Sequence, residues 1–267
     1  MLFFIGCEKM FSSEKIKEYI TAETDLFNIT AFEEIESTNT FLKNNCSAKK
    51  EWSVVVASSQ TGGKGRLGRS FYSPKESGVY FSVLLKPALK LEEAVLITAA
   101  AAVAVTKALR TLGCENAQIK WVNDVFVNGK KVCGILTESV INPNTRLLDF
   151  AVLGVGINLL APEGGFPSEI EEVAGAVFEK AEPLLKERFI AEFLNEFYVI
   201  YKDLSAKKFM EEYKEKCFFI GKEVTVISGK DMRKGRVLSV DDNARLEVEF
   251  SANCKEFISS GEISVKI

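Results

Sequence analysis

A glycine- and cation-rich loop lies between two runs of apolar, β-branched residues. Residues 60–70 read QTGGKGRLGRS, with WSVVVASS before them at 52–59 and GVYFSVLL after them at 78–85. Runs of this length and composition predict buried strands. Pro74 and Gly78 leave no room for a helix directly after the loop. The sequence therefore predicts a strand, a loop and a second strand, in that order.

This order excludes two phosphate-binding motifs that the loop resembles. Gly63, Gly65 and Gly68 satisfy G-x-G-x-x-G, and residues 63–70 approach G-x-x-x-x-G-K-[ST] with Arg in place of Lys. Both motifs need a helix immediately after the glycines, because its N-terminus binds the phosphate. The ribose-binding acidic residue of a dinucleotide fold is missing as well. The chain is therefore predicted to be neither a dinucleotide fold nor a P-loop protein.

The charges of the loop indicate an anionic ligand. Lys64, Arg66 and Arg69 lie in a stretch, residues 52–75, that contains no Asp or Glu. Glycine lets the backbone approach a ligand closely, but it also makes an empty loop less ordered. We expect a loop that is mobile in the free protein and closes over an anion. A solvated basic loop is the alternative for this segment taken alone.

The rest of the chain divides into a mixed α and β part and a β-rich end. Residues 91–112 predict a helix closed by Gly113, and Asn128-Gly129 predicts a hairpin turn between two strands. After Cys217, short alternating strands joined by Gly, Asp and Asn predict a small β-barrel. The other predicted elements are strands at 117–121 and 147–159 and a helical segment at 184–215.

Composition limits the class of protein. Among 267 residues there are 34 cations, 37 anions and no His, which excludes Ser-His and Cys-His catalysis and argues against nucleic-acid binding by net charge. Six scattered Cys without C-x-x-C spacing favour reduced, mostly buried thiols in the cytoplasm. No run reaches the ~20 apolar residues of a membrane span. MLFFIG, at the start, is too short for a signal peptide and is expected to be an irregular extension.

Three further clusters of glycine and polar residues come at predicted strand ends. They are KWVND (120–124), KKVCGIL (130–136) and GVGIN (154–158). Strict alternation would put Lys131 and Cys133 on one face of their strand and Gly134 on the other. Each cluster alone could be a solvated lysine, a turn or a loop cap. Function is nevertheless concentrated in loops at strand ends.

The order STN, QTGGKGRLGR, KWVND, KKVCGIL, GVGIN resembles the biotin protein ligase (biotin–[acetyl-CoA-carboxylase] ligase) family from about Glu34 onward. GEIS at 261–264 looks like the end of the family's SH3-like C-terminal domain. Val122 stands where the family has proline, Lys64 where it has arginine, and Phe71 where tryptophan is common. Lys64 keeps the charge but lacks the planar fork of arginine.

The resemblance implies an α+β fold and a two-step ligase reaction. A catalytic domain (1–216) with a mixed β-sheet and helices would precede an SH3-like β-barrel (217–267). Biotin and MgATP would give biotinyl-5′-adenylate, and a lysine of a biotin carboxyl carrier protein would then accept the biotin. Only about 35 residues precede ESTN, so we expect the monofunctional form without specific DNA binding. The resemblance leaves a homodimer open. Lipoate ligases of the same architecture and non-catalytic biotin-binding proteins are the alternatives.

The resemblance also implies roles for individual residues. The catalytic positions are Arg66, Lys120, Asp124 and Lys131, with Asp124 as the Mg²⁺ ligand. The biotin-binding positions are Ser37, Thr38, Asn39, Gln60, Gly63, Lys64, Arg66, Phe71, Lys131 and Gly134. The ATP- and adenylate-binding positions are Lys64, Arg66, Arg69, Lys120, Asn123, Asp124, Lys131, Gly154, Gly156 and Asn158.

Overall fold

The computed structural model describes residues 11–228, 231–251, 254–259 and 262–264. The predictions for MLFFIG, for Cys7 and for the glycine of GEIS lie outside these ranges. Five α-helices occur in the described part of the chain. They are α1 (Ser13–Glu18), α2 (Thr38–Asn44), α3 (Ala94–Thr111), α4 (Leu185–Lys202) and α5 (Phe209–Lys216).

Seven strands form one mixed sheet, in the order β1-β2-β3-β7-β6-β5-β4. β1 and β2 are parallel, and every other neighbouring pair is antiparallel. This confirms the predicted mixed sheet with helices. The strands are β1 (Asn28–Ile35), β2 (Ser53–Gln60), β3 (Gly78–Leu85), β4 (Gln118–Lys120), β5 (Asp124–Val127), β6 (Lys130–Ile141) and β7 (Leu148–Asn158).

The two faces of this sheet are covered differently. Helices α3 and α4 pack against each other, and their apolar side chains join those of β2 and β3 in the main core. Gly113 follows α3 with φ +92°, the left-handed value that a helix-ending glycine adopts. On the other face, Leu42 of α2 packs with Val55, Leu84 and Val152 in a smaller cluster. The short α2 leaves part of this second face open.

Residues 91–111 are apolar and long enough to span a membrane by length and composition, but 72% of the most apolar stretch is buried inside the protein. Buried alanines and valines let α3 approach its neighbours closely. The segment thus has the surroundings of a core helix.

The C-terminal strands form a second, antiparallel sheet in the order β11-β10-β9-β8-β12. It contains β8 (Glu223–Ser228), β9 (Asp231–Val240), β10 (Leu246–Ser251), β11 (Cys254–Ile258) and β12 (Glu262–Ser264). The predicted strand-rich end is thereby confirmed. Its apolar residues, among them Val237 and Leu246, continue the main core. The boundary after residue 216 stays a prediction.

The strand–loop–strand order around the glycines is confirmed. Residues 61–77, all described, contain one 3₁₀ turn, Arg66–Gly68, and no α-helix. β1 and α2 were not predicted. β1 is an edge strand whose burial does not alternate. α2 begins with Thr, Asn and Thr, which are weak helix formers.

Candidate active site

All but two of the predicted site residues meet in one pocket on the α2 face of the sheet. Its wall is built from the start of α2, the glycine loop, the segment that joins β4 to β5, and the middle of β6 and β7. The predicted residues that line it are Ser37, Thr38, Asn39, Gln60, Lys64, Arg66, Arg69, Phe71, Lys120, Asn123, Asp124, Lys131, Gly134, Gly154 and Gly156.

One end of the pocket is a buried cluster of hydroxyls and amides. Ser37 is the N-cap of α2, where its Oγ accepts from the Thr40 amide at 3.3 Å. Thr38 donates to Gln60 Oε1 from its backbone amide at 2.9 Å and from its hydroxyl at 3.2 Å. Gln60 Nε2 in turn donates to Ser73 Oγ at 3.1 Å. These bonds fix polar side chains in position before a ligand arrives.

Ser82, which the sequence analysis did not single out, supports the same cluster. Its hydroxyl is fully buried, 2.7 Å from Thr38 Oγ1 and 2.6 Å from Asn39 Oδ1. Asn39 Nδ2 donates to Glu138 Oε2 at 3.1 Å. The signal in the sequence was the single serine in the otherwise aliphatic and aromatic run GVYFSVLL, since a buried polar group needs a partner.

Two glycines form the floor beneath the ring of Phe71. Gly134 of β6 and Gly156 of β7 are paired across the two strands. A Cβ atom would lie 3.0 Å from Phe71 Cε2 at Gly134 and 2.6 Å from Phe71 Cε1 at Gly156. At Gly154 the Cβ would collide with the Asn39 amide. The absence of side chains here allows the aromatic ring to lie on the sheet.

The opposite end of the pocket is charged. Lys131 Nζ lies 2.7 Å from Asp124 Oδ1, with the side chains 29% and 20% exposed. Asn123 Nδ2 donates to the same carboxylate oxygen at 3.0 Å, and its Oδ1 accepts from Arg66 Nη1 at 2.8 Å. Lys120 and Arg69 also line the pocket. Cations from three separate segments thus converge where an anion could bind.

The prediction for the faces of β6 was wrong because the strand carries a bulge. Cys133 pairs with Val125 and Lys131 with Phe126, so Val132 is an extra residue. The bulge turns Lys131 onto the pocket face with Gly134, while Cys133 is fully buried on the other side. Burial raises the pKa of the Cys133 thiol well above its usual range. Cys133 is therefore no nucleophile for this pocket.

Two of the predicted ligand-binding residues do not line the pocket. A Cβ at Gly63 would lie 2.5 Å from the Phe71 carbonyl oxygen, and the Gly63 carbonyl accepts from the Phe71 amide at 2.9 Å. Gly63 therefore allows the loop to pack on itself. Asn158 Nδ2 donates to the Gly175 carbonyl at 3.1 Å, in a loop beside the end of β7. Its Oδ1 is buried and, within the described part of the chain, has no hydrogen-bond partner.

The glycine loop folds as a narrow hairpin beside the pocket. The Gly65 amide donates to the Arg69 carbonyl at 2.7 Å, and Lys64 and Ser70 form an isolated β-bridge. Gly68 has φ +76°, a conformation that side chains disfavour. Lys64 and Arg69 are exposed, whereas Arg66 is half-buried. The loop thus presents two cations to solvent and turns one toward Asn123.

Asp124 is the one acidic residue among the described residues that line the pocket. No group of three His, Cys, Asp or Glu that could hold a metal occurs in the described ranges. Mg²⁺ usually takes one or two carboxylates and fills its other positions with water and substrate phosphates. A single carboxylate beside an amide fits that mode of binding, and it does not fit a metal cage built of protein ligands.

The comparisons with known proteins agree with this geometry. Residues 31–158 match the model of the "Biotin/lipoate A/B protein ligase family". The chain is 30% identical over 217 residues to the bifunctional ligase/repressor BirA of Bacillus subtilis, which covers 79% of this chain and 65% of that protein. It is 27% identical over 216 residues to the biotin–[acetyl-CoA-carboxylase] ligase of Mycobacterium tuberculosis, covering 79% and 77% of the two chains.

Solved structures show the same fold. The biotin protein ligase from Aquifex aeolicus, in complex with biotin and ATP, superposes with a TM-score of 0.74 at 26% identity, covering 90% of this chain and 98% of that one. The chain spans 65% of the length of the Bacillus subtilis relative. Residues 31–158 thus match the biotin/lipoate A/B protein ligase family, and the chain is similar in sequence and fold to the biotin protein ligases.

Proposed function

We propose that this protein activates biotin with ATP as biotinyl-5′-adenylate and transfers it to a lysine of a biotin carboxyl carrier protein. The observation that carries the proposal is the pairing of two unlike ends in one pocket. A buried cluster of hydroxyls and amides forms one end, and a group of cations forms the other. The Aquifex aeolicus relative with the same fold binds biotin and ATP.

The polar end suits the ureido ring of biotin. That ring carries two N–H donors and one carbonyl acceptor, and hydroxyl and amide side chains supply both kinds of partner. Ser37, Thr38 and Asn39 are all buried here. The dithiolane ring of lipoate offers no N–H or C=O group, so it could not use the remaining donor and acceptor capacity of these side chains. The site therefore favours biotin over lipoate.

The cationic end suits the adenylation step. In that step an oxygen of the biotin carboxylate forms a bond to the α-phosphorus of ATP, and the bond to pyrophosphate breaks. Negative charge gathers on the oxygens of one phosphate, so fixed cations stabilise the transition state more than an acid–base pair would. Lys131 and Arg66 are held near this point by Asp124 and Asn123. We assign them to the carboxylate and the α-phosphate.

In the transfer step, the ε-amine of the carrier lysine attacks the carbonyl carbon of the adenylate. The carbon–oxygen bond to phosphate breaks, AMP leaves, and the amine loses a proton to the solvent. The same cations stabilise the departing phosphate. The relatives named biotin–[acetyl-CoA-carboxylase] ligase support a carboxylase carrier as the acceptor.

Mg²⁺ fits the residues at the cationic end. Asp124 and Asn123 would hold the ion, since carboxylate and amide oxygens are ligands that it prefers. When bound, Mg²⁺ neutralises part of the charge of the triphosphate.

We also propose that the protein works in the cytoplasm. Cys46, Cys114, Cys133, Cys217 and Cys254 are free thiols, as is typical of a reducing compartment. The absence of specific DNA binding stays a prediction, and the question of a homodimer stays open.

The experiment is biotin-dependent exchange of labelled pyrophosphate into ATP, run in parallel with lipoate. Exchange that occurs with biotin but not with lipoate supports the proposal. Exchange that occurs with lipoate but not with biotin would make lipoate the substrate. Exchange with neither acid would leave a non-catalytic binder, which isothermal titration with biotin would reveal. Mass spectrometry of a carrier domain after incubation with biotin and MgATP tests the transfer step, through the added mass on a single lysine.

A further inference from the structure

One tryptophan of the pocket is hydrogen-bonded to the C-terminal sheet. Trp121 lines the pocket between Lys120 and Asn123, and its Nε1–H donates to the carbonyl oxygen of Ala244 at 2.7 Å. Trp121 is 3% exposed and Ala244 1% exposed. A buried bond of this kind is costly to break, because the carbonyl would be left without a partner. The residues of the pocket's cationic end are therefore physically joined to the turn between β9 and β10.

That turn, residues 241–245, is held rigidly by its own first side chain. Asp241 Oδ1 accepts from the backbone amides of Asn243 at 2.9 Å and Arg245 at 2.8 Å. Asp241 Oδ2 accepts from Arg245 Nε at 2.7 Å. Ala244 has φ +56°, a left-handed conformation that the surrounding bonds must maintain. These contacts fix the direction in which the Ala244 carbonyl points.

The turn is also fixed to the catalytic domain. Lys207 Nζ donates to Asn243 Oδ1 at 2.7 Å, and Lys214 Nζ of α5 lies 2.5 Å from Asp242 Oδ1. On the same helix, the buried Tyr213 hydroxyl donates to the Val122 carbonyl at 3.2 Å. Burial raises the pKa of Tyr213 well above its usual range, so the hydroxyl stays protonated and remains a donor. The turn and α5 thus both hold the peptide segment just before Asn123.

We propose that the turn 241–245 is a positioning element for the ATP end of the pocket and acts through Trp121. The inference rests on the proposed function, whose ATP-binding residues Lys120, Asn123 and Asp124 adjoin this tryptophan in the chain. A shift of about 1 Å in such residues can lower the rate roughly 10²-fold.

The polar end of the pocket is held by a different set of bonds. The hydrogen bonds of the cluster on α2 and β2 lead to Ser73, Ser82 and Glu138, which belong to the catalytic domain. Loosening the turn should therefore weaken the use of ATP and leave the binding of biotin alone unchanged.

The structural arm of the test uses the indole N–H groups. The chain has two tryptophans, Trp52 and Trp121, so a ¹⁵N-labelled sample gives two indole signals, and Trp121→Phe assigns them. Asp241→Ala removes the side chain that holds the turn. Glu256→Ala is the matched control, because it removes a carboxylate from an Arg pair elsewhere in the same sheet. Exchange of the Trp121 indole proton with solvent should be roughly tenfold faster in Asp241→Ala and unchanged in Glu256→Ala.

The functional arm measures KM for ATP in biotin-dependent pyrophosphate exchange, and Kd for biotin without ATP. In Asp241→Ala we expect KM for ATP to rise roughly tenfold with Kd for biotin unchanged, and in Glu256→Ala neither value should change. If circular dichroism shows that Asp241→Ala does not fold, Asp241→Asn, which keeps one acceptor, takes its place.

Equal rates of indole proton exchange in wild type and variant would overturn the coupling. Faster indole exchange with an unchanged KM for ATP would overturn the positioning role. A wild-type protein without exchange activity would instead overturn the proposed function, since the indole measurement does not depend on catalysis.

Discussion

Lys131 Nζ lies 2.7 Å from Asp124 Oδ1, although the two residues are not paired in the sheet. Asp124 is opposite Gly134, and the bulge at Val132 turns Lys131 onto the same face. The ammonium is therefore held in place before substrate arrives. A phosphate or carboxylate that enters the pocket meets a cation whose direction is already set, which is the condition for electrostatic preorganisation.

Replacing Lys131 with Ala should lower the rate of adenylation by roughly 10²-fold, the scale of losing one preorganised charge stabiliser. Lys130→Ala is the matched control, because the Lys130 ammonium contacts the carbonyl of Glu171 and does not line the pocket. Biotin-dependent pyrophosphate exchange measures both variants. A folded Lys131→Ala protein with a rate close to that of Lys130→Ala would remove Lys131 from the reaction.

Gly156→Ala should destabilise the protein and weaken binding of the adenylate, because the new methyl group would lie 2.6 Å from Phe71 Cε1. Phe71→Ala removes the ring that collides. The double variant should therefore lose less stability than the two single variants lose together. The difference should be about 0.5–3 kcal/mol, as for residues in direct contact. Urea unfolding of the four proteins measures this coupling. Strict additivity would mean that Phe71 does not lie on the glycine floor.

Much of the fold follows from local pattern. Residues 52–59 and 78–85 were predicted to be strands and correspond to β2 and β3. Almost all residues of these two strands are buried, and a strand of this kind can be recognised from its own sequence. Asn128-Gly129 became the turn between β5 and β6 for the same reason. β1 was not predicted, because only its parallel pairing with β2 stabilises this segment as a strand.

The sequence predicted which residues form the site better than it predicted how their side chains are arranged. Residues from all five motifs line one pocket, because the strands and loops that carry them border one face of the sheet. The face of Lys131 could not be predicted, since a single bulge reverses the alternation. Ser82 and the bond from Trp121 to Ala244 depend on elements far apart in sequence. No local pattern encodes such contacts.

Glu138→Gln should lower stability at neutral pH and have less effect in acid. Burial alone would raise the pKa of Glu138, but the hydrogen bonds from Lys43 and Asn39 outweigh it and lower the pKa. A lowered pKa stabilises the folded protein above the unfolded value of about 4.3, and this contribution is lost as the pH falls below it. Urea unfolding of wild type and variant at neutral pH and at about pH 3.5 measures the difference.

Glu163→Gln, at an exposed position outside the pocket, is the control for this pH dependence. It should change stability little at either pH. An effect of Glu138→Gln that is the same at both pH values would mean that Glu138 contributes through shape and packing and not through its charge.

Limited trypsin digestion should cut the free protein first after Lys64 and Arg69, and more slowly after Arg66. The first two side chains are exposed, whereas Arg66 is half-buried and donates to Asn123 at 2.8 Å. Exposed loop tips are favoured sites of cleavage, and a protease must open the narrow hairpin to cut it. Mass spectrometry of the first fragments gives the order of cleavage.

Biotin with MgATP should slow this cleavage strongly, and biotin alone should slow it in part. The adenylate would bring a fixed negative charge and apolar rings beneath the loop, and the attraction of the loop to these groups would offset an ordering entropy of about 1–2 kcal/mol per residue. Biotin alone supplies one carboxylate for Arg66 or Lys131, so its protection is smaller. Digestion of an unrelated peptide in the same mixtures controls for inhibition of trypsin itself. Equal rates with and without ligands would show that residues 62–70 do not close over the pocket, and that their cations serve it from a fixed position.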